Sequence, residues 1–230
     1  MPRIRFSWRP SNASTTALIS KYCQPALALL LVLLAGCTTT PIHELGSAEG
    51  ERLYGERRLR LASMDRWELE GRLAVSDGDQ GGSGHFTWRQ AEGESEMDFY
   101  GAFGRGAWRL TANAGIARLE LADGSSYRAS SVEELVRNEV GWNVPVKALA
   151  WWVRGLAAPG DFSGRGIDEQ GRLRSLEQHG WVIEFPRYAR YNDESLPIRL
   201  TARRGDSKIK LAIRDWRLAA PPLPEVARRG

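Results

Sequence analysis

Trp67-Glu-Leu-Glu-Gly-Arg-Leu-Ala-Val75 has its large apolar residues at nearly every second position. Tryptophan, leucine and valine occupy most of the odd positions, whereas glutamate and arginine occupy most of the even ones. A period of two places these two sets on opposite faces of a β-strand. The stretch therefore predicts a strand that turns one face to a core and the other to water.

Downstream of this strand the pattern repeats in short segments that are separated by glycine-rich turns. Asp77-Gly-Asp-Gln-Gly-Gly82 predicts the first turn or short loop. A spacing of about eight to twelve residues between such segments is typical of a meander of hairpins. The further candidate strands are residues 85–90, 96–100, 107–112, 116–121, a short one around Tyr127, and then 173–178, 181–188, 197–203 and 208–216.

Helical patterns stand before the first strand and between the two sets of strands. The first predicted helix covers residues 49–63. Ser131-Val-Glu-Glu134 matches a capping box, in which the serine hydroxyl accepts from the Glu134 N–H and Glu134 reaches back. Another helix is predicted to start near Pro145 and to end at Gly155. This order predicts a mainly β (α+β) fold, with a curved antiparallel sheet that helices cover on one face.

The excess positive charge of the chain is confined to its start. The 230 residues include 32 Lys and Arg against 28 Asp and Glu. Arg3, Arg5, Arg9 and Lys21 are the charged residues of the first 36, so 28 bases face 28 acids in residues 37–230. A chain without excess positive charge is not attracted to the phosphates of nucleic acids, so no nucleic-acid partner is expected.

The basic start leads into an apolar run from Ala26 to Ala35. Ten residues make a helix of about 15 Å, half of the roughly 30 Å hydrocarbon core, which fits the apolar region of a signal peptide. Leu34-Ala-Gly-Cys37 resembles the bacterial lipobox and implies that residues 1–36 are a signal peptide and that Cys37 carries lipid. An ordinary cleavage site that happens to precede a cysteine is the alternative.

The lipobox implies a division of the chain into three parts. Residues 37–48 form the lipidated N-terminus and tether, and residues 49–230 form the folded domain. Thr38 stands where inner-membrane retention often has Asp, so by resemblance the protein is sorted to the outer membrane. Cys23 leaves with the signal and Cys37 is acylated, which leaves the folded domain without a thiol for a disulfide, a metal or a nucleophile.

Motifs of catalysis and cofactor binding are missing from the sequence. There is no Gly-Lys dipeptide, and hence no phosphate-binding loop of the Walker type. His43, His85 and His179 are scattered without metal-ligand spacing, and Ser83 near His85 lacks the glycines of a nucleophile elbow. The sequence therefore predicts no catalytic residue, no metal site and no cofactor.

Two apolar features stand out instead. Phe103 lies near the tip of Tyr100-Gly-Ala-Phe-Gly-Arg-Gly106, which three glycines mark as a connection between strands. It either plugs one end of the core or protrudes toward a membrane or partner. Tryptophan is abundant, and the adjacent Trp151 and Trp152 point about 100° apart on a helix. A Trp-rich core explains each one singly, whereas a helix that covers a cavity and meets lipid or a partner explains both.

The sequence is similar along most of its length to the LolB family of outer-membrane lipoprotein receptors. The resemblance lies in Gly71–Asp77 followed by Phe86–Gln90, in Gly101-Ala-Phe-Gly104, in Val144–Leu156, and in Lys208–Trp216. The family has a loop with an exposed apolar residue, usually Leu, where this chain has Phe103. Where the family usually has Pro in this loop, this sequence has Ala102.

This resemblance implies an incomplete β-barrel with a helical lid, as in LolA and LolB. It also implies that the protein accepts lipoproteins from the periplasmic carrier LolA and places them in the outer membrane of a Gram-negative bacterium, from its periplasmic face. A monomer anchored by its lipid is expected, with Phe103 entering the membrane or helping release. The acyl-chain cavity is expected to be lined by Phe86, Trp88, Met97, Phe99, Trp108, Leu119, Leu149 and Trp152.

Other functions are compatible with the same pattern. A structural or assembly lipoprotein would have a filled sheet and would dock a protein through Phe103 and the tryptophans. A general periplasmic lipid carrier would share the half-barrel shape. An enzyme acting on cell-wall or lipid substrates would need a pair of titratable groups inside the void.

Overall fold

A computed structural model describes residues 47–101 and 106–218 of the chain. Within these ranges, eleven strands form one sheet in which every neighbouring pair is antiparallel. The strands are β1 Arg66–Asp77, β2 Gln80–Ala91, β3 Glu94–Gly101, β4 Trp108–Asn113, β5 Ile116–Leu121, β6 Ser126–Ala129, β7 Phe162–Ile167, β8 Leu173–Gln178, β9 Trp181–Tyr191, β10 Glu194–Arg204 and β11 Ser207–Leu218. The predicted mainly β fold with an antiparallel sheet is confirmed.

The order of the strands across the sheet follows from two meanders that meet at β1. Strand β1 pairs with β2 on one side and with β11 on the other, so the order runs β6-β5-β4-β3-β2-β1-β11-β10-β9-β8-β7. The sheet is open, with β6 and β7 as its edge strands in the described part of the chain. The segment between β6 and β7 consequently connects the two opposite edges.

This connecting segment, residues 130–161, contains the helices that follow the first set of strands. It includes α2 Val132–Leu135, a π-helical turn Val136–Val140 and α3 Val146–Trp152, whereas α1 Ala48–Ala62 precedes β1. The Ser131 hydroxyl accepts from the Glu134 N–H at 3.3 Å, as the capping box predicts. The reciprocal bond differs from the expectation, because the neighbouring Glu133 accepts from the Ser131 hydroxyl and from the Lys147 N–H.

Several strands are longer than the sequence patterns predict, whereas β5 and β8 have the predicted bounds, and β7 was missed. The predicted turn Asp77–Gly82 is only two residues long, because Gln80 already pairs with Asp77, and Gly81 and Gly82 belong to β2. Strand β7 was not predicted because Phe162-Ser-Gly-Arg-Gly-Ile167 lacks alternation and contains two glycines, which weaken a strand pattern. Its pairing with β8 is irregular at two places.

The inner face of β1 is buried as its period of two predicts. Trp67, Leu69, Leu73 and Val75 are all in the core. On the opposite face Glu68 is also buried, since Arg89 and Arg217 approach its two carboxylate oxygens from the strands on either side. These pairs neutralise a charge that would be costly to bury alone.

Gly71 is the residue that lets β1 pair with β11. The register between the two strands shifts between Glu70 and Gly71, as in a β-bulge. A Cβ atom at Gly71 would lie 2.2 Å from the carbonyl oxygen of Ala212. Only a residue without a side chain allows the backbones to approach this closely.

We expect Gly71→Ala to lower the free energy of unfolding by about 1–3 kcal/mol, the usual cost of forcing atoms into a packed position. Gly55→Ala is the matched control, because Gly55 lies in α1 with nothing within 4 Å of an added Cβ. It should raise stability by roughly 0.5–1 kcal/mol through helix propensity. Urea unfolding of both variants checks this, and equal effects would contradict the close approach at Gly71.

Candidate functional site

Large apolar side chains from three neighbouring strands form a continuous patch on the inner face of the sheet. The register pairs Trp88 with Met97, Phe86 with Phe99, and Phe99 with Trp108. Residues directly opposite each other in a ladder point to the same face, so these five side chains are adjacent. All five are buried. We call them the aromatic patch.

The connecting segment contacts this patch through the ring of Trp142. The Phe99 and Trp108 rings are stacked at 5.4 Å between centroids, and the Trp142 ring meets Phe99 edge-on at 5.1 Å and Trp108 at 6.0 Å. Such aromatic pairs contribute about 0.5–1.5 kcal/mol each beyond the area they bury. Gly82 leaves room for the contact, since a Cβ there would lie 2.9 Å from Trp142.

The space between the connecting segment and the sheet is almost filled. It has a volume of about 20 Å³, which is room for about one water molecule. A hydrocarbon chain does not fit there while the segment is in place. The space is lined only by apolar residues, namely Leu73, Phe86, Trp88, Met97, Trp108, Leu110, Val136, Trp142, Val144, Val146 and Leu149.

A wider recess opens to solvent beside this narrow space. Its volume is about 620 Å³, within the range of about 300–1,000 Å³ that is usual for small-molecule sites. Trp108 and Trp142 line both spaces and therefore form the boundary between them. Asp123 and Glu139 stand at the exposed rim. The other lining residues are Gly81, Gly82, Ser83, Phe99, Gly101, Gly106, Ala107, Leu121, Ala122 and Val140.

The structure brings together six of the eight residues expected to line a cavity. Phe86, Trp88, Met97, Phe99, Trp108 and Leu149 line one or both spaces. Leu119 is buried on β5, where it pairs with Leu110 and Tyr127. Trp152 lies apart from both spaces, with its ring 6.3 Å from that of Trp181. Cys37 and Phe103 lie outside the described residues, although Gly101 and Gly106, which flank residues 102–105, line the recess.

Arg154 joins the end of the connecting segment to α1. Its guanidinium donates from Nη1 to the Leu61 carbonyl at 2.8 Å and to the Met64 carbonyl at 3.4 Å. It also lies over the Trp151 ring, 4.8 Å from the centroid. In return, Arg57 of α1 donates to the Arg154 carbonyl at 3.3 Å. We call these reciprocal contacts the arginine clasp.

Both cations of the clasp are buried, and their environments differ. Burial lowers the pKa of Arg154 to about 10, which still leaves it charged at neutral pH. Within the described residues no carboxylate pairs with it, so backbone carbonyls and the negative end of the α1 dipole balance the charge. Burial also lowers the pKa of Arg57, which has Glu194 at 3.7 Å.

Gln178 on β8 fixes the same end of the connecting segment a second time. Its Oε1 accepts from Trp152 Nε1 at 3.0 Å and from the Ala158 N–H at 2.9 Å, and its Nε2 donates to the Ala158 carbonyl at 2.8 Å. The Ala157 N–H donates to the Tyr54 hydroxyl of α1 at 3.1 Å. Residues 152–158 are therefore held by a dense set of buried polar bonds.

The earlier part of the segment is held differently. Its buried contacts with the sheet are apolar, and at its surface the Asn143 N–H donates to Asp77 Oδ2 at 3.0 Å. Apolar contacts have no directional requirement and can be exchanged for other apolar partners, whereas buried polar bonds leave unpaired groups when they break. Buried polar bonds thus hold the later part of the segment, whereas mainly apolar contacts hold the part around Trp142.

Neither the arginine clasp nor the role of Gln178 was predicted from the sequence. Arg154 follows two tryptophans in a helical pattern, and the carbonyls it contacts are about 90 residues earlier in the chain. In the described ranges no helix is long and apolar enough to cross a membrane, and no group of three or more His, Cys, Asp or Glu is placed to hold a metal.

The fold and the site define an open half-barrel with an aromatic interior that a helical segment covers. A solved structure of a putative outer membrane lipoprotein-sorting protein domain from Vibrio parahaemolyticus shares this fold, with a TM-score of 0.51 and 10% sequence identity over 79% of this chain and 97% of that one.

Sequence comparison identifies the family. The model of the family "Outer membrane lipoprotein LolB" matches residues 65–216. Two similar proteins are the outer-membrane lipoprotein LolB of Pseudomonas paraeruginosa, 39% identical over 82% of this chain and 93% of that protein, and of Stutzerimonas stutzeri, 38% identical over 87% and 96%. The chain belongs to the LolB family, as its sequence motifs predict.

We expect Arg154→Met to lower the free energy of unfolding by about 1–3 kcal/mol, because buried carbonyls of Leu61 and Met64 lose their donor. Arg52→Met on the exposed side of α1 is the control and should change stability little, since its pairs with Glu49 and Glu56 are in water. Urea unfolding measures both. Equal stability of the two variants would show that the clasp does not hold the segment.

Proposed function

We propose that this chain accepts lipoproteins from the periplasmic carrier LolA, holds their acyl chains against the aromatic patch, and inserts them into the outer membrane. The observation that carries the proposal is the construction of the interior: an open sheet whose aromatic inner face is covered by a segment that buried polar bonds hold at residues 152–158 and apolar contacts hold around Trp142. Membership of the LolB family supports it.

The energetics of the cargo require such an interior. An acyl chain gains about 0.8 kcal/mol per buried CH₂, so three sixteen-carbon chains carry a gross cost on the order of 35 kcal/mol when exposed to water. Transfer between proteins without nucleotide hydrolysis must run downhill, from a weaker apolar site to a tighter one and then to the bilayer. The aromatic patch supplies such an apolar site.

Entry of an acyl chain requires the connecting segment to move. The space beneath it has room for about one water molecule, whereas the recess beside it is open. The segment pivots about residues 152–158, where the polar bonds remain, and the part that carries Trp142 leaves the patch. The acyl chain then makes the apolar contacts that the segment gives up.

The proposal also assigns roles to the N-terminal region and to the loop that carries Phe103. Residues 1–36 direct export, Cys37 carries the lipid, and residues 37–48 tether a monomeric domain 49–230 at the periplasmic face of the outer membrane. Phe103 enters that membrane or aids release of the cargo. The recess supports this role, because both described neighbours of residues 102–105 line it.

A disulfide across the movable end should abolish cargo binding. We would introduce Asp77→Cys and Asn143→Cys, at positions joined by a hydrogen bond, into the mature chain 37–230 carrying Cys37→Ala. Residues 37–230 then contain no other thiol. The oxidised protein should bind a fluorescent dipalmitoyl lipopeptide at least about tenfold more weakly than the reduced one, and a reductant should restore the affinity.

A disulfide within the sheet is the matched control. Glu120→Cys and Ser126→Cys face each other on β5 and β6 and do not tie the connecting segment. Oxidation of this pair should leave the affinity unchanged. Full lipopeptide binding by the oxidised 77–143 protein would contradict movement of the segment.

Phe103→Glu should leave the fold intact and stop delivery of lipoproteins to the membrane, because a charged side chain resists transfer into lipid. Ile116→Glu puts the same charge on an exposed apolar residue, the first of β5, and this variant should deliver normally. The assay uses the lipidated chain in vesicles and a carrier loaded with labelled lipoprotein. Normal delivery by Phe103→Glu would overturn the role of this residue.

A further inference from the structure

The indole N–H of Trp108 is a buried donor that lacks an acceptor among the described residues. Trp108 is 7% exposed, and Nε1 itself is shielded from solvent. Trp88, in contrast, donates from Nε1 to the Ser95 hydroxyl at 2.7 Å, and Trp216 donates to the Pro197 carbonyl at 3.0 Å. An unpaired buried donor is destabilising and is uncommon in folded proteins.

The indole N–H of Trp108 differs in its location from the other unpaired indole N–H of the described residues, that of Trp181. Trp181 also has an unpaired indole N–H, but its ring packs against Trp152 away from both spaces. Trp108 forms part of the boundary between the open recess and the narrow space beneath the connecting segment. A ligand that passes from one space to the other must pass this ring.

The surroundings define the kind of acceptor that fits. An indole N–H can only donate, so the missing partner is an acceptor. The stacked Phe99 and the edge of Trp142 make the position apolar, which favours a neutral acceptor over a charged one. Asp123 and Glu139 at the rim form no ion pair with a described cation and disfavour an approaching carboxylate.

We propose that Trp108 donates a hydrogen bond to the carbonyl oxygen of an ester that joins an acyl chain to its cargo. The acyl chain beyond the ester occupies the space that the connecting segment vacates, and the polar head remains in the recess. Trp108 thereby sets how deeply the cargo enters and favours ester-linked acyl chains over free fatty acids. This inference rests on the proposed function, because it assigns a contact within the same site.

The test compares two lipopeptides that differ only at the acceptor. One carries a dipalmitoylglyceryl thioether on its N-terminal cysteine, and its twin has ether linkages in place of both ester carbonyls. The protein is the mature chain 37–230 with Cys37→Ala. It should bind the ester lipopeptide about 2- to 12-fold more tightly than the ether twin, the ratio expected for one hydrogen bond.

Substitution of the two tryptophans separates the hydrogen bond from the apolar contact. Trp108→Phe should bind both lipopeptides equally, at the affinity of the ether twin for the unsubstituted protein. Trp88→Phe is the matched control, because the Trp88 N–H is already bonded to Ser95, and it should keep the ester preference. Retention of that preference by Trp108→Phe would overturn the proposal.

A second measurement needs no substitution. The indole ¹H–¹⁵N resonance of Trp108 should shift downfield when the ester lipopeptide binds and should shift less with the ether twin. Equal affinities and equal shifts for the two ligands would overturn the hydrogen bond and leave the proposed function standing. Failure of both lipopeptides to bind the unsubstituted protein would instead overturn the proposed function, and this inference with it.

Discussion

The apolar inner face of an open sheet has to be covered, because exposing it to water is unfavourable. A closed barrel would bury the face by itself, but β6 and β7 do not pair in the described part of the chain. The segment that connects these two edges lies on the face instead and places Trp142 against Phe99 and Trp108. The inner face is therefore covered by the connecting segment of the same chain.

The two ends of the cover are held by different kinds of interaction, and this difference links the fold to the proposed function. Arg154 and Gln178 hold the end near residue 158 through buried polar bonds that would leave unpaired groups if broken. The part around Trp142 rests on apolar contacts, and we propose that an acyl chain replaces them. The chain thus combines a firmly held attachment with a covered apolar interior.

The sequence predicted the sheet well because alternation such as that from Trp67 to Val75 is a local property of the chain. The same alternation groups Phe86, Trp88, Met97, Phe99 and Trp108 on one face of the sheet, which the register shows, whereas their role in binding acyl chains stays a prediction. The sequence did not predict β7, whose glycines hide its pairing, or the arginine clasp, whose carbonyl acceptors lie about 90 residues away. The filled interior was not predicted from the sequence either. An alternating pattern shows which face of a strand is apolar, but it does not show what covers that face.

We propose that acyl chains replace the connecting segment on the aromatic patch. Photocrosslinking with a lipopeptide that carries a diazirine at the end of its acyl chain tests this most directly, with the attachment sites mapped by mass spectrometry. We expect crosslinks to Phe86, Trp88 and Met97, which lie beneath the segment. Crosslinks confined to the outer face of the sheet, for example at Arg72 or Arg199, would contradict it.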